Sequence, residues 1–212
     1  MKKDEKYNRI VTAAEKVFFN YGYGQSSMDQ VAQEAGVAKG TIYLYFQSKQ
    51  ELYYAIGVRA LGILLKSFRE LFSSCKSGLE KVVAFGRAFA QYRKSYPDYY
   101  QFIVNYQGEP YDERNEYGEV HSTYQESREL FRVLVKAVTE GQADGSIGVK
   151  TDPALLAAIL WCQTCGVVQL TALREPFFKL FTPSSADEML ESYFTLTEKV
   201  LEREIRIERV PN

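Results

Sequence analysis

Cysteine and histidine are nearly missing from this 212-residue chain. Three cysteines, Cys75, Cys162 and Cys165, and one histidine, His121, are all it has. An odd number of cysteines beside a charged N-terminus argues against a disulfide framework and predicts reduced thiols. With so few ligand-type side chains, no recognisable metal motif, nucleophile–base pair or Gly-rich phosphate loop can be assembled, so an enzyme is not expected and no cofactor is implied. His121 reads as a surface or otherwise satisfied polar residue.

Net charge is also small, at −1, which excludes a uniformly basic nucleic-acid coat but leaves room for a local footprint. Lys2, Lys3, Lys6, Arg9, Lys39 and Lys49 lie in the first quarter, whereas Glu109, Asp112, Glu113, Glu116 and Glu119 cluster later. An acidic run of that kind is usually a solvated loop, although it also suits a cationic ligand. The opening residues are charged and no apolar stretch follows them, so a secretory signal is not expected and the cytoplasm is the default compartment. Long apolar runs are rare too. Only Ala154 to Leu173 approaches a membrane span, and Gln163, Thr164 and Gln169 interrupt it, so it reads as a buried helix.

What is present is helical periodicity. Strand-like alternation bounded by turn residues does not occur, and the expected fold is all-α with about nine helices. Ile10, Val11, Ala14, Val17, Phe18 and Tyr21 recur at three-to-four spacing before Gly22, a residue suited to a left-handed C-cap. Ser27 and Gln30 have the spacing of a capping box, and Met28, Val31, Ala32 and Ala35 then form an inward stripe ending at Gly36. A second short amphipathic stretch runs from Ala38 to Phe46 with Ile42 and Phe46 inward. Ser48 and Glu51 suggest another capping box, opening a helix to about Phe72. Further helices are expected over 78–95 and 97–107, where Pro97 fits a first turn. A polar segment from Gly108 to Gly118 precedes a helix defined by Leu130, Phe131, Leu134, Val135 and Val138, which should stop near Gly141 ahead of the Asp144-Gly145 turn. Asp152-Pro153 caps the next helix, and Ser185 to Glu188 is a third capping box.

Two short helices joined at Gly36 satisfy helix-turn-helix geometry, in which the second helix lies in the DNA major groove. Lys39, Thr41, Tyr43 and Tyr45 offer donors for phosphate oxygens and base edges, and Gly40 lets the backbone come close. Structural αα-hairpins share this geometry, so Tyr43 or Tyr45 packing on the first helix, with Lys39 and Lys49 as solvated charges, is the competing reading. The string from Val31 to Leu52, VAQEAGVAKGTIYLYFQSKQEL, resembles the signature of the TetR family of regulators. The Ala13-Ala14 pair, Phe18 and Gly22-Tyr23 extend the likeness over roughly the first quarter of the chain.

The resemblance implies a helix-turn-helix domain over 1–52 and an effector-binding and dimerisation domain over 53–212. It implies a homodimer whose recognition helices enter successive major grooves of a palindromic operator. By motif position Ser27, Lys39, Gly40, Thr41, Tyr43, Tyr45 and Lys49 meet DNA, with Tyr43 and Lys49 on phosphates. Ala38 departs from the serine often found there, removing a cap for the recognition helix, and Leu44 offers no hydrogen bond, so the operator sequence is not legible.

Tyr92, Tyr96, Tyr99, Tyr100, Phe102, Tyr106, Tyr111, Tyr117 and Tyr124 concentrate rings with polar tips in one region, a composition suited to an aromatic or cationic effector. Packing of the core is the competing reading for each ring. The family likeness adds Phe85, Phe89, Trp161, Gln163 and Cys165 as effector candidates. It also implies that the last two long helices pair across a two-fold axis, through Leu155, Ile159, Val167, Leu170, Tyr193, Leu196 and Val200. Cys162 and Cys165 share a helix face, so a redox- or metal-sensing regulator stays open beside two small packed side chains. A helical interaction protein with a vestigial DNA-binding unit is the other alternative to a ligand-released repressor.

Overall fold

The computed structural model describes residues 2–107 and 118–206, with side chains described except at 2–4, 106, 107, 120, 121 and 206. Among the described residues ten helices run α1 Lys2–Tyr21, α2 Met28–Ala35, α3 Lys39–Tyr43, α4 Lys49–Phe72, α5 Gly78–Ser95, α6 Pro97–Gln107, α7 Gly118–Asp144, α8 Pro153–Leu173, α9 Glu175–Phe178 and α10 Ala186–Leu201. The helix beyond the expected nine is α9, a single turn opened by Pro176 and too short to show periodicity. A parallel pairing of two residues each, β1 Val149–Lys150 with β2 Ile205–Arg206, is the one departure from an all-helical fold among the described residues. Strands that short carry no alternation to read.

Local sequence sets most of the boundaries. The Ser27 hydroxyl accepts the amide of Gln30 at 3.3 Å while the Gln30 side chain accepts the amide of Ser27 at 2.7 Å, the capping box expected for α2. The same reciprocal pair, Ser185 with Glu188, opens α10, and the Asp152 carboxylate accepts the amides of Ala154 and Leu155 at the start of α8. At α4 the box is skewed. Ser48 Oγ accepts the amide of Glu51, but the Glu51 carboxylate reaches one residue further back, to the amide of Gln47 at 2.6 Å. Gly22 and Gly145 take the positive φ expected of them. The last helix before Gly145 runs through Asp144, past the stop expected at Gly141.

Packing divides the chain into two compact units. One holds the residues up to Ile63 together with Tyr96–Ser127; the other holds Leu64–Ser95 with the chain from Arg128 onward. The first unit therefore recruits α6 and the start of α7, beyond residue 52 where the helix-turn-helix signature ends. Its core joins Ile10, Ala14, Val17 and Phe18 of α1 to Val31, Ala35, Ile42, Phe46, Leu52 and Ile56. Gly57 of α4 faces the Phe102 ring of α6 so closely that a Cβ would fall inside contact distance of Cζ, which is why that position has no side chain.

In the second unit α10 packs on α5 and α8. Phe68 stacks on Phe85 with centroids 4.0 Å apart, and Trp161 meets both Phe85 and Phe89. The expectation of a buried α8 needs correction. Only the stripe Leu156, Ala157, Leu160, Thr164, Val168 and Thr171 is buried, while Leu155, Ile159, Leu170 and Leu173 are exposed. A helix apolar on both sides packs one of them inside its own unit and leaves the other open.

Candidate nucleic-acid interface

The turn between α2 and α3 depends on Gly36, whose φ of 61° is the left-handed conformation that L side chains resist. Its amide and that of Val37 satisfy the carbonyls of Gln33 and Ala32 at 3.1 and 3.0 Å, so the chain reverses without orphaned donors. Five residues of helix are too few to hold themselves in water. Burial of Ile42 and Phe46, both at 0% exposure, fixes α3 instead, at roughly 1.5–3 kcal/mol for each side chain. As the alanine predicted, Ala38 provides no side-chain cap.

With Ile42 inward, the rest of α3 is displayed. Lys39 and Tyr43 are exposed, Thr41 is half-buried, and Leu44 just beyond the helix is 82% exposed. Tyr45 is half-buried and packs against the core of this unit, so much of its ring serves the fold. Gly40 is exposed, and a Cβ there would meet no atom within 4 Å, so nothing inside the chain requires a glycine. Ser27 is exposed while its hydroxyl caps α2.

Neither candidate lysine is a bare solvated charge. Lys49 Nζ sits over the Tyr23 ring, 4.4 Å from its centroid, with Phe18 at 5.9 Å. Lys39 Nζ forms a 2.8 Å ion pair with Asp29 Oδ2 of α2, and that hydrogen bond followed by the carboxylate's charge raises the lysine pKa. Neither contact was marked in the sequence: a charge pair ten residues apart becomes a contact only once Gly36 has turned the chain.

A polar network missing from the sequence reading holds α1 in place. The Glu15 carboxylate, buried on α1, accepts Arg59 Nη1 of α4 at 2.8 Å and the Tyr99 hydroxyl of α6 at 2.7 Å. Arg59 also donates to Thr12 Oγ1 and Asn8 Oδ1. Burial first, then the bond to Glu15, pushes the Tyr99 pKa up to about 12. Nearer the start of α1, the Tyr7 hydroxyl donates to Glu119 Oε1 at 2.8 Å, and burial followed by that bond raises its pKa as well. Glu119 is thus engaged; the acidic run from 109 to 117, with Tyr111 and Tyr117, lies outside the described residues.

The effector candidates are divided between the two units. Phe85, Phe89 and Trp161 interlock, and Phe85 lines a narrow cavity with Val82, Leu134, Leu160, Thr164 and Phe194. Tyr92 is buried in the second unit, whereas Tyr96, Tyr100 and Tyr124 belong to the first. The side chains of Tyr106 and His121 lie outside the described residues. Gln163 falls elsewhere, in an open apolar groove between α8 and α10. Ile159, Val167, Tyr193, Leu196 and Val200, five of the seven candidates for pairing of two copies, line the same groove, and Leu155 and Leu170 are exposed on α8. The aromatic patch of Phe177, Leu180 and Phe181 at and after α9 is also exposed and carries no periodic signal. Cys162 is exposed and Cys165 half-buried. No group of three or more metal-ligating side chains occurs among the described residues.

Comparison with known proteins agrees with the geometry. Residues 10–56 match the model of bacterial regulatory proteins of the tetR family. The chain is 35% identical over 80 residues to the fatty acid metabolism regulator protein of Bacillus subtilis, covering 38% of this chain and 41% of that one. It is 33% identical over 87 residues to the HTH-type transcriptional activator FasR of Mycolicibacterium smegmatis, covering 41% and 40%. The matches thus span about two fifths of the length of these curated relatives. Among solved structures, FadR from Bacillus subtilis in complex with stearoyl-CoA superposes with a TM-score of 0.68 at 20% identity, over 94% of this chain and 99% of that one, which establishes a common fold.

Proposed function

We propose that this chain, whose residues 10–56 match the tetR family of bacterial regulatory proteins, is a ligand-responsive transcriptional regulator that binds a palindromic operator as a homodimer. The observation that carries the reading is α3: a helix of five residues anchored by Ile42 and displaying Lys39, Tyr43 and the neighbouring Leu44 outward. A helix placed so presents its outer face to base edges and phosphates. Ser27, Lys39, Gly40, Thr41, Tyr43, Tyr45 and Lys49 are the contacts we assign, in the compartment where the DNA is, the cytoplasm.

Dimerisation is supported by the apolar groove between α8 and α10, whose lining residue Leu196 is 66% exposed. In a dimer the two recognition helices must sit about one helical turn of DNA apart, roughly 34–36 Å, so a small change in their separation breaks simultaneous docking. An effector releases the operator if it binds the incompetent arrangement more tightly, and moving the population from 1:99 to 99:1 takes about 5.5 kcal/mol of differential affinity. The effector class we assign is a long-chain acyl-coenzyme A, supported by the stearoyl-CoA bound to a protein of the same fold and by the fatty acid metabolism regulator among the relatives.

The test uses an operator duplex recovered by selection from a random-sequence pool. Lys49→Gln and Tyr43→Ala should each weaken binding to it, and for Lys49→Gln the salt dependence should become shallower. Unchanged affinity in both variants would remove the assignment of α3. Stearoyl-CoA should lower operator affinity; tighter binding on its addition would overturn the repressor mechanism.

A further inference from the structure

We infer that Asp29 is a specificity-determining residue: by pairing with Lys39 it withdraws that cation from the phosphate backbone and leaves it available to a base edge. The inference rests on the reading of α3 as the recognition helix and concerns a residue of α2 to which that reading gives no role.

Lys39 Nζ lies 2.8 Å from Asp29 Oδ2, and the two side chains keep 50% and 66% of their exposure. The bond bridges α2 and α3 across the Gly36 turn, on the face that displays Lys39 and Tyr43. Asp29 occupies the first turn of α2, where the helix dipole favours its negative charge.

Non-specific DNA binding is a count of phosphates neutralised, each releasing condensed counterions. A lysine that carries its own carboxylate at 2.8 Å brings almost no net charge to a phosphate, and the carboxylate itself is repelled by it. On random DNA, where contacts go to phosphate and sugar, Lys39 therefore adds little. At the operator α3 is seated in the groove, and a base-edge acceptor pair such as guanine O6 and N7 offers a hydrogen bond away from the phosphates. An exposed ion pair is weak enough to be exchanged for that bond. The charge on Asp29 thus subtracts from binding everywhere except where Lys39 finds its base, a use of repulsion to create discrimination.

The experiment compares Asp29→Asn with the parent on two duplexes of equal length, the selected operator and a random sequence, over a salt series. Both positions are exposed, so the fold should tolerate the change. On random DNA the slope of log K against log salt should steepen by about 0.9 per protomer, which corresponds to roughly 8-fold tighter binding per protomer near 0.1 M salt. Operator affinity should rise by much less, so the specificity ratio falls. In a Lys39→Gln background Asp29→Asn should raise affinity for both duplexes alike and leave the specificity ratio unchanged.

Random-sequence affinity that stays the same or weakens would overturn the inference. So would an equal gain on both duplexes, since Asp29 would then act only through its own charge, or a fall in the specificity ratio that persists in the Lys39→Gln background. If Lys49→Gln and Tyr43→Ala also leave binding untouched, the recognition-helix reading itself has failed; if they weaken it while Asp29→Asn is silent, only the role of Asp29 has.

Discussion

Glu15 is a residue whose type says one thing and whose position says another. A carboxylate in the apolar run of α1 looks like the solvated edge of an amphipathic helix, yet it is buried and shared by Arg59 and Tyr99. A buried charge is tolerable only when paired and hydrogen-bonded, and the partners come from 44 and 84 residues away, so no local pattern announces them. Tyr99 has a pH consequence with a definite sign. Its pKa is raised from 10.0 to about 12 in the folded state. Below pH 10 both states hold the proton and the contribution is fully present; as pH climbs from 10 towards 12 the unfolded chain ionises first and stability is lost. Tyr99→Phe should flatten this alkaline limb in urea titrations read between pH 9 and 12. A limb as steep as the parent's would show that Tyr99 does not carry it.

Helices were legible to the extent that their ends are chemically marked. Ser27, Asp152 and Ser185 cap helices where expected, because a cap needs only a side chain and amides two or three residues away. The ends that moved lacked such a mark: α3 stops at Tyr43 short of Phe46, and α9 was not foreseen. How α4 meets α6 was equally invisible, since Gly57 in the middle of a helix reads as a weakness. It serves as the seat of the Phe102 ring. Gly57→Ala, which would raise helix propensity in isolation, should instead destabilise by about 2 kcal/mol because the added Cβ overlaps the ring. Phe102→Leu should recover part of that loss in the double variant, a non-additivity measurable in urea midpoints. Stabilisation by Gly57→Ala alone would mean that α6 is not held at this point.

For the whole molecule, the prediction concerns the groove between α8 and α10. Five of its lining residues, Ile159, Val167, Tyr193, Leu196 and Val200, are among those that the family likeness implied for pairing two copies. Leu196→Glu places a charge on that face where the side chain is 66% exposed, so it should leave the monomer folded and separate two copies. Sedimentation should then report a monomer, and binding to a palindromic duplex should fall towards that of a half-site. A dimer that persists would move the interface elsewhere, with the exposed patch of Phe177, Leu180 and Phe181 as the place to look.

By itself the sequence determined the helical class, the caps, the Gly36 turn and the likeness of the first quarter to the tetR family, since each depends on interactions within a few residues along the chain. It also supplied the side chains that α3 displays, since burial of Ile42 and Phe46 at helical spacing leaves few choices for the rest. Only the tertiary structure decided that Lys39 is held by Asp29, that Lys49 lies over Tyr23, and that Glu15 joins α1 to α4 and α6. It likewise separated Phe85, Phe89 and Trp161 from Gln163, which looked like one set of pocket candidates. Hydrogen bonds and ring contacts act over a few ångströms in space, and the chain brings such groups together only after its helices have packed.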